Sequence, residues 1–370
     1  MTLTGKGYFI WKVRFCENGD PDRIAALAKE AHLSHVLIKI ADGAFPYNID
    51  LDNGFDYVLP VVKKLQANNI AVWGWQFVYG DYPDQEAEIA ISRALNLGIQ
   101  GFVVNAEGHY SKPTKAPAAS RYMNILRTHL GKMPIALSSY RYPSYHPNLP
   151  WTNFLDRCDY MMPQVYWMKS HNNAGLQLKK SFNEFKNIRP YRPMIATGPT
   201  FKEHGWMPTK EEVIEFMTVA GQLDIPAVNF WYWEGCRRDM PEYWNLVRNF
   251  KYGQQDDTQR QEQTSFPEKY VLAMNSKDPE KVLSLYSDDA VHIQPKDAIQ
   301  GKPAIRKWIE TQMQDLSKTG MILLNQSRVR TSCHFRWEGT NQNGVTLQGR
   351  DSLGLVDQRI KYHYSYTKPV

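Results

Sequence analysis

The amino-acid sequence predicts an α/β protein built as a closed (β/α)8 barrel, followed by a smaller α+β domain. Three observations carry that expectation. Eight apolar, strand-like runs begin near residues 8, 36, 71, 101, 135, 160, 194 and 228, with helical periodicity between them. Their spacing, roughly 25–35 residues, suits consecutive β/α units. A polar stretch, Gly253–Ser265 (GQQDDTQRQEQTS), then interrupts the alternation, and beyond it helical segments precede long strands, the order of an α+β domain. The expected organisation is a barrel over 1–252, a linker over 253–265 and a second domain over 266–370.

Tyr8–Val13 opens the barrel as a strand. Asp20-Pro21 caps the first helix, which carries Ile24, Leu27, Ala28 and Ala31 at helical spacing. Val36–Ala41 and Ala71–Val78 are the next strands. Phe55–Leu65 and Gln85–Leu97 are the next helices, the latter stopped by Gly98. Gly101–Tyr110 supplies strand four, and Ala118–Leu130 a helix ended by Gly131. Ile135–Ser139, Tyr160–Val165 and Met194–Thr197 are strands five to seven, with a helix over Leu176–Asn187. Thr209 and Glu212 form a capping-box pattern before a helix that runs through Leu223. Val228–Trp233 is strand eight, and Glu242–Phe250 closes the set. An open, doubly wound sheet is the competing arrangement. Against it, Arg14, Phe15 and Cys16 follow the first strand, where a glycine-rich phosphate loop would sit.

In the second domain, helices are expected at Phe266–Asn275, Pro279–Ser287 and Pro303–Leu316, with a short strand at Ala290–Gln294. Met321–Trp337, Gly344–Val356 and Arg359–Thr367 read as three long strands of a curved antiparallel sheet. Turns at Asn341–Gly344 and Val356–Arg359 suit hairpins. Tyr286, His292, Trp308, Trp337 and His363 either line a cone or fill its core.

Composition narrows the function. The net charge of +6 is mild for 370 residues, and no Lys/Arg block is dense enough for nucleic acid. No apolar run approaches the roughly 18 residues that span a membrane. The start, MTLTGKGYFI, lacks the apolar core of a signal peptide. Cys16, Cys158, Cys236 and Cys333 form no CxxC pair, so a reduced, cytoplasmic setting is the default, with secretion open if a leader has been lost. No His/Asp/Glu group has metal-ligand spacing, and no cofactor is expected. The 11 Trp and 21 Tyr are many. They serve either large cores or a site that stacks flat ligands such as sugar rings.

The chemistry is expected at Gly101–Tyr110, GFVVNAEGHY. An apolar run turns polar at its C-terminal end, as barrel strands do where they deliver side chains to the mouth. Asn105 and Glu107 share the inward face with Val103. Glu107 is the candidate acid; the alternative is an ion pair with Lys12 or Lys39. On strand six, Gln164 and Tyr166 share a face. On strand eight, Asn229, Trp231 and Trp233 share one, with Trp233 expected to face ligand. Gln76, Lys39, Asp42 and Tyr140 are further candidate substrate contacts near strand ends. Glu234 and Asp42 are the other carboxylates near strand ends, and either could pair with Glu107 in a two-carboxylate mechanism; Glu234 has the wrong parity to point inward along the strand, but loop geometry can break parity.

Two resemblances follow from these motifs. Asn105-Ala106-Glu107 and Asp159-Tyr160-Met161-Met162-Pro163-Gln164-Val165-Tyr166-Trp167 resemble the fourth- and sixth-strand motifs of TIM-barrel glycoside hydrolases. The chitinase-like family 18 and the uncharacterised glycosyl-hydrolase-like barrels are the nearest types. The resemblance implies that Glu107 is the general acid and that Tyr166 positions an N-acetyl group of the sugar. Asn105 stands where that family has Asp, Trp167 where it has a second Asp, and Trp73-Gly74-Trp75-Gln76 where it has Ser-x-Gly-Gly. Separately, Tyr286-Ser287-Asp288-Asp289-Ala290-Val291 and Gly301-Lys302-Pro303-Ala304-Ile305 resemble the SnoaL-like, nuclear-transport-factor-two-type superfamily, which implies a cone-shaped domain and a homodimer through 266–370. The expected function is hydrolysis of an oligosaccharide, N-acetylhexosamine-containing chains included. The alternatives are a catalytically silent glycan-binding barrel and a scaffold dimerised through the second domain.

Overall fold

The computed structural model describes residues 3–168, 170, 173–253, 265–329 and 331–369. Most of the expected linker, 254–264, lies outside the described residues. The chain divides into two compact units, Met1–Gln255 and Asp256–Val370.

The first unit is a closed barrel. Its strands are β1 (Gly5–Ile10), β2 (His35–Asp42), β3 (Ala71–Val78), β4 (Gly101–Ala106), β5 (Ile135–Tyr140), β6 (Tyr160–Gln164), β7 (Ala196–Pro199) and β8 (Ala227–Trp231). Each pairs in parallel with the next, and β8 returns to β1 with Asn229 beside Gly7. Around it lie α1 (Pro21–Glu30), α2 (Val58–Ala67), α3 (Pro83–Leu97), α4 (Ala116–Leu130), α5 (Trp151–Leu155), α6 (Ala174–Lys186), α7 (Lys210–Gln222), α8 (Trp233–Asp239) and α9 (Pro241–Asn249). The helix signals act as the residues suggest. The Asp20 carboxylate accepts from the amides of Asp22 and Arg23. Thr209 and Glu212 form both halves of a capping box. Gly98 takes the left-handed conformation, φ 63°, that ends α3.

Two strands differ from expectation. The first runs over Gly5–Ile10 rather than Tyr8–Val13. Gly5, Lys6 and Gly7 have little strand propensity, yet the backbone of Ala227–Phe230 pairs with them. The eighth stops at Trp231, because α8 begins at Trp233.

Alternation sorts each strand into two faces. One face packs the helices, with Ile10, Val36, Ile38 and Val104 among its buried residues. The other fills the barrel, with Phe9, Leu37, Trp73, Trp75, Val103 and Met162 at its centre. Large and small side chains are matched there. A Cβ at Gly101 would overlap the Trp73 indole, and a Cβ at Gly7 would overlap the His35 imidazole. Gly7 thus leaves room for His35 to donate from Nε2 to Asn229 Oδ1 at 2.6 Å. Between Lys39 and Ala41 the β2–β3 register shifts, so that Asp42 lies beside Phe77. That bulge puts Asp42 on the inward row despite its sequence parity with Ile40.

The second unit holds α10 (Phe266–Asn275), α11 (Pro279–Leu283) and α12 (Lys302–Asp315) against a six-stranded sheet. Its strands are β9 (Tyr286–Gln294), β10 (Asp297–Gln300), β11 (Leu316–Val329), β12 (Ser332–Asn341), β13 (Thr346–Val356) and β14 (Arg359–Pro369). The order is β10-β9-β14-β13-β12-β11. The sheet is mixed, not wholly antiparallel, since β9 and β14 pair in parallel. The expected single strand Met321–Trp337 is two antiparallel strands, β11 and β12. The reversal falls in the polar stretch between Leu324 and Cys333, and the antiparallel pairing defines where it lies. The expected turn at Val356–Arg359 is present, with Asp357 and Gln358 both at positive φ, 48° and 57°, as a type I′ hairpin requires.

Two outcomes are expected from this packing. Gly101→Ala should destabilise the barrel by roughly 1–3 kcal/mol, the usual cost of forcing extra volume into a filled interior, read as a lowered denaturant midpoint in tryptophan fluorescence. His35 is fully buried, and burial outweighs its bond to Asn229 to hold its pKa down to about 4. Its contribution to stability is therefore complete above the unfolded value near 6.5 and is lost as pH falls towards 4. Within that window the wild type should lose about 1.4 kcal/mol per pH unit more than His35→Gln, measured by denaturant titration at stepped pH.

Candidate functional site

The C-terminal ends of the barrel strands bring five of the expected residues together. Asn105 is the last inward side chain of β4, and Glu107 follows it by two. Gln164 ends β6 and reaches across the mouth. Its Nε2 donates to Asn105 Oδ1 at 3.1 Å and to Glu107 Oε1 at 2.8 Å. One amide therefore fixes two acceptors that lie two strands away. Tyr166 stands beside them. Burial, and after it the negative charge of Glu107, pushes the pKa of its phenol well above the ordinary tyrosine value. The Tyr166 ring meets Phe201 edge-on at 5.3 Å, and Arg141 donates to its carbonyl. Tyr140, at the end of β5, lies flat on His146 with 3.5 Å between ring centroids. Burial and the Glu107 charge raise its pKa too, while the Gly108 amide opposes the shift.

Glu107 itself is half-buried, and among the described residues no cation lies within ion-pair distance of it. The expected alternative, a pair with Lys12 or Lys39, is not what forms. Lys39 is buried and pairs with Asp42, Nζ to Oδ2 3.2 Å. Its ammonium lies over the rings of Tyr47 (4.2 Å) and Trp75 (4.9 Å). Desolvation lowers the Lys39 pKa, Asp42 raises it in part, and Lys12 lowers it further. The other oxygen of Asp42 accepts from Tyr79 Oη at 3.1 Å. Asp42, Phe77 and Asn105 are register neighbours on three consecutive strands. At roughly 4.8 Å per strand, the Asp42 and Asn105 backbones are about 10 Å apart, the scale of one to two sugar rings.

Trp231 is inward and half-buried, packed against Trp75 (5.6 Å), Phe9 (5.8 Å) and Trp11 (6.1 Å). It caps the apolar filling of the barrel and provides a flat floor.

Three expected contacts are corrected. Gln76 points away from the interior, because its neighbour Trp75 points in. It donates to the carbonyls of Gly43 (2.7 Å) and Glu86 (2.8 Å) and accepts from Tyr122, so it is fully used between barrel and helices. Asn229 is inward but sealed below the mouth, bonded to His35 and donating to Met162 Sδ. Trp233 is not on the strand at all. As the first residue of α8 it is buried against Trp244 (4.6 Å) and Tyr8 (6.2 Å). The alternation that linked it to Trp231 ends with the strand.

Glu234 is more than its parity suggested. It is 6% exposed, and its Oε1 accepts from the amides of Trp11 (2.9 Å) and Lys12 (2.5 Å). Burial exceeds the help of those amides and pushes its pKa up to about 7, while Oε2 is buried with no hydrogen-bond partner. Period-2 reasoning missed it because a helix, not a strand, presents it. The four cysteines are buried and none is in a disulfide.

In the second unit, Tyr286, Trp337 and His363, expected to line a cone, are linked by hydrogen bonds in the core, and Trp308 packs edge-on against His292 with ring centroids 3.8 Å apart. The Asp351 carboxylate accepts from His363 Nε2 at 2.6 Å and from the Trp337 indole; His363 Nδ1 accepts from Tyr286 Oη at 2.6 Å. His292 stacks on His363, centroids 4.4 Å apart, and donates to or accepts from Ser365. Both imidazoles are fully buried.

Comparison with known proteins covers only part of the chain. No curated protein matches it, and among the described residues no helix is long and apolar enough to cross a membrane. A solved protein from Kribbella flavida DSM 17836 is similar at 18% identity, over 27% of this chain and 81% of its own, with a TM-score of 0.26. An NTF2-like protein of unknown function from Cytophaga hutchinsonii ATCC 33406 is similar at 11% identity, over 27% and 84%, with a TM-score of 0.24. Another, from Burkholderia xenovorans LB400, is similar at 13% identity, over 27% and 77%, with a TM-score of 0.25. Residues 268–363 match the SnoaL-like domain model. The chain is thus an eight-stranded parallel barrel with flanking helices, followed by a SnoaL-like domain with a mixed sheet.

Proposed function

We propose that the barrel is a glycoside hydrolase acting on an oligosaccharide, with Glu107 as general acid. The observation that carries this reading is the Gln164 amide, which orients Asn105 and Glu107 at the barrel mouth beside Tyr166. Among the described residues, no ammonium or guanidinium ties up the carboxyl. Trp231 supplies a stacking floor for a sugar ring.

In the substrate-assisted form implied by the family resemblance, Glu107 gives its proton to the glycosidic oxygen. The N-acetyl oxygen of the sugar attacks the anomeric carbon as the C–O bond breaks. Tyr166 and Asn105 orient that acetamido group by hydrogen bonds. Water then opens the cyclic intermediate and returns a proton to Glu107. Asn105 orients without adding negative charge, so the cationic intermediate is less stabilised than beside a carboxylate. That single residue also favours a second reading, a barrel that binds glycans without cleaving them.

The second unit is proposed to form a homodimer. Tyr362, Tyr364 and Tyr366 alternate along β14 on the face of the sheet away from the core, 45%, 51% and 48% exposed. Such a stripe of large rings is the kind of surface that association covers.

Glu107→Gln keeps the shape and removes the transferable proton. Turnover of chito-oligosaccharides and chromogenic glycosides should fall about 10²–10⁴-fold with glycan binding retained. Tyr166→Phe should cost on the order of 1–3 kcal/mol in kcat/KM, for one buried hydrogen bond. Turnover unaffected by Glu107→Gln removes Glu107 from the mechanism; binding without turnover by the wild type favours the silent barrel. For assembly, light scattering at micromolar concentration should give the mass of two chains, and Tyr364→Lys should return it to one.

A further inference from the structure

The rim beyond β1 carries two cations, Lys12 and Arg14, that pair with no carboxylate among the described residues. The Lys12 ammonium lies over the Trp11 ring, 4.8 Å from its centroid, and reaches towards Phe15 at 6.0 Å. The Arg14 guanidinium lies over Phe15 at 4.8 Å, and that ring is 57% exposed. Each nearby carboxyl is engaged elsewhere. Asp42 takes Lys39 and Tyr79. Glu17 takes Arg23, Arg237 and the Trp233 indole. Glu234 holds the backbone amides of Trp11 and Lys12. Among the described residues, neither Lys12 nor Arg14 has a carboxylate within ion-pair distance.

The chain also fixes the ground beneath these groups. The Asn48 side chain accepts from the Val13 amide at 2.9 Å and donates to the carbonyls of Trp11 (3.1 Å) and Lys39 (2.8 Å). The loop after β1 is therefore stitched to the end of β2, and its cations are held over ring faces rather than left free. A cation seated on an aromatic plane offers a flat apolar surface and a positive edge together. A sugar with an acidic substituent presents the matching pair, a C–H ring face and an anion at its edge.

We propose that the glycan taken at this mouth is acidic, bearing carboxylate or sulfate groups that pair with Lys12 and Arg14 while its rings stack on Trp11 and Phe15. This rests on the glycan reading of the barrel and adds the charge of its substrate. Lys39, already matched by Asp42, contributes to the positive field but not to the recognition. The acid groups are bound beyond β1, three strands and so roughly 14 Å from Asn105 by strand spacing, so the charged residue sits two or three rings from the bond beside Glu107.

The test compares binding of three hexasaccharides to the full chain by calorimetry: oligogalacturonate (carboxylate), chondroitin sulfate (carboxylate and sulfate) and chitohexaose (neutral). At about 50 mM salt at least one acidic probe should bind at least about 10-fold tighter than chitohexaose, and the margin should shrink near 500 mM as screening shortens the reach of the charges. Lys12→Gln with Arg14→Gln should abolish that margin by lowering the affinity for the acidic probe. Lys29→Gln with Lys63→Gln alters net charge equally on exposed helices and should change nothing. Equal binding of acidic and neutral probes, or an undiminished margin in the Lys12/Arg14 variant, overturns the acidic substrate alone. Binding of none of the three overturns the glycan reading with it. A matching thermal melt of the two double variants excludes misfolding as the cause of any loss.

Discussion

The closed barrel imposes one constraint from which the site follows: every second side chain of eight strands must share a fixed interior volume. That volume is filled by pairing large groups with absent ones. Trp73 lies where Gly101 has no side chain, and His35 where Gly7 has none. The apolar filling then rises through Trp75 and ends at Trp231. Below that level the inward polar groups His35 and Asn229 bond each other, whereas above it Asn105 and Gln164 are only half-buried. Asn105, Gln164 and Asp42 are at the mouth because the indoles and Met162 occupy the space below them.

Within the mouth, the physical division is between groups the protein has satisfied and groups it has left available. Lys39 and Asp42 satisfy each other, and Tyr79 completes the carboxylate. Asn229 and Gln76, polar and near strand ends in the sequence, are consumed by His35 and by the Gly43 and Glu86 carbonyls. A buried amide with all its partners supplied stabilises structure and has nothing to offer a ligand. Glu107 differs, with one amide contact from Gln164 and, among the described residues, no countercharge. That contrast, more than position, is what supports the proposed role for it.

The SnoaL-like unit shows the same economy differently. Four buried side chains form a hydrogen-bonded chain from Trp337 through Asp351 and His363 to Tyr286 within the core. The face of β14 turned away from that core carries three exposed tyrosines instead. The interior is otherwise apolar, with Val271, Met274, Ile305, Phe335 and Leu353 among its buried residues, so this polar chain is the exception within an ordinary core.

The sequence by itself determined what is local. Apolar runs and caps located seven of the eight barrel strands to within a few residues. Period-2 alternation put Asn105 with Val103 and Gln164 with Met162 on inward faces, and Asp20, Gly98 and Thr209 marked helix ends through hydrogen bonds that span only a few residues. What only the tertiary structure decided depends on partners far along the chain. Strand one extends back to Gly5 because β8 pairs with it. A bulge opposite β3 turns Asp42 inward, and a helix starting at Trp233 hides that indole while bringing Glu234 to the amides of Trp11 and Lys12. Whether a polar side chain is free or spent is likewise settled by contacts over long separations, such as Gln164 to Glu107 or His35 to Asn229. Spacing along the chain encodes which face a residue takes, but not who meets it there.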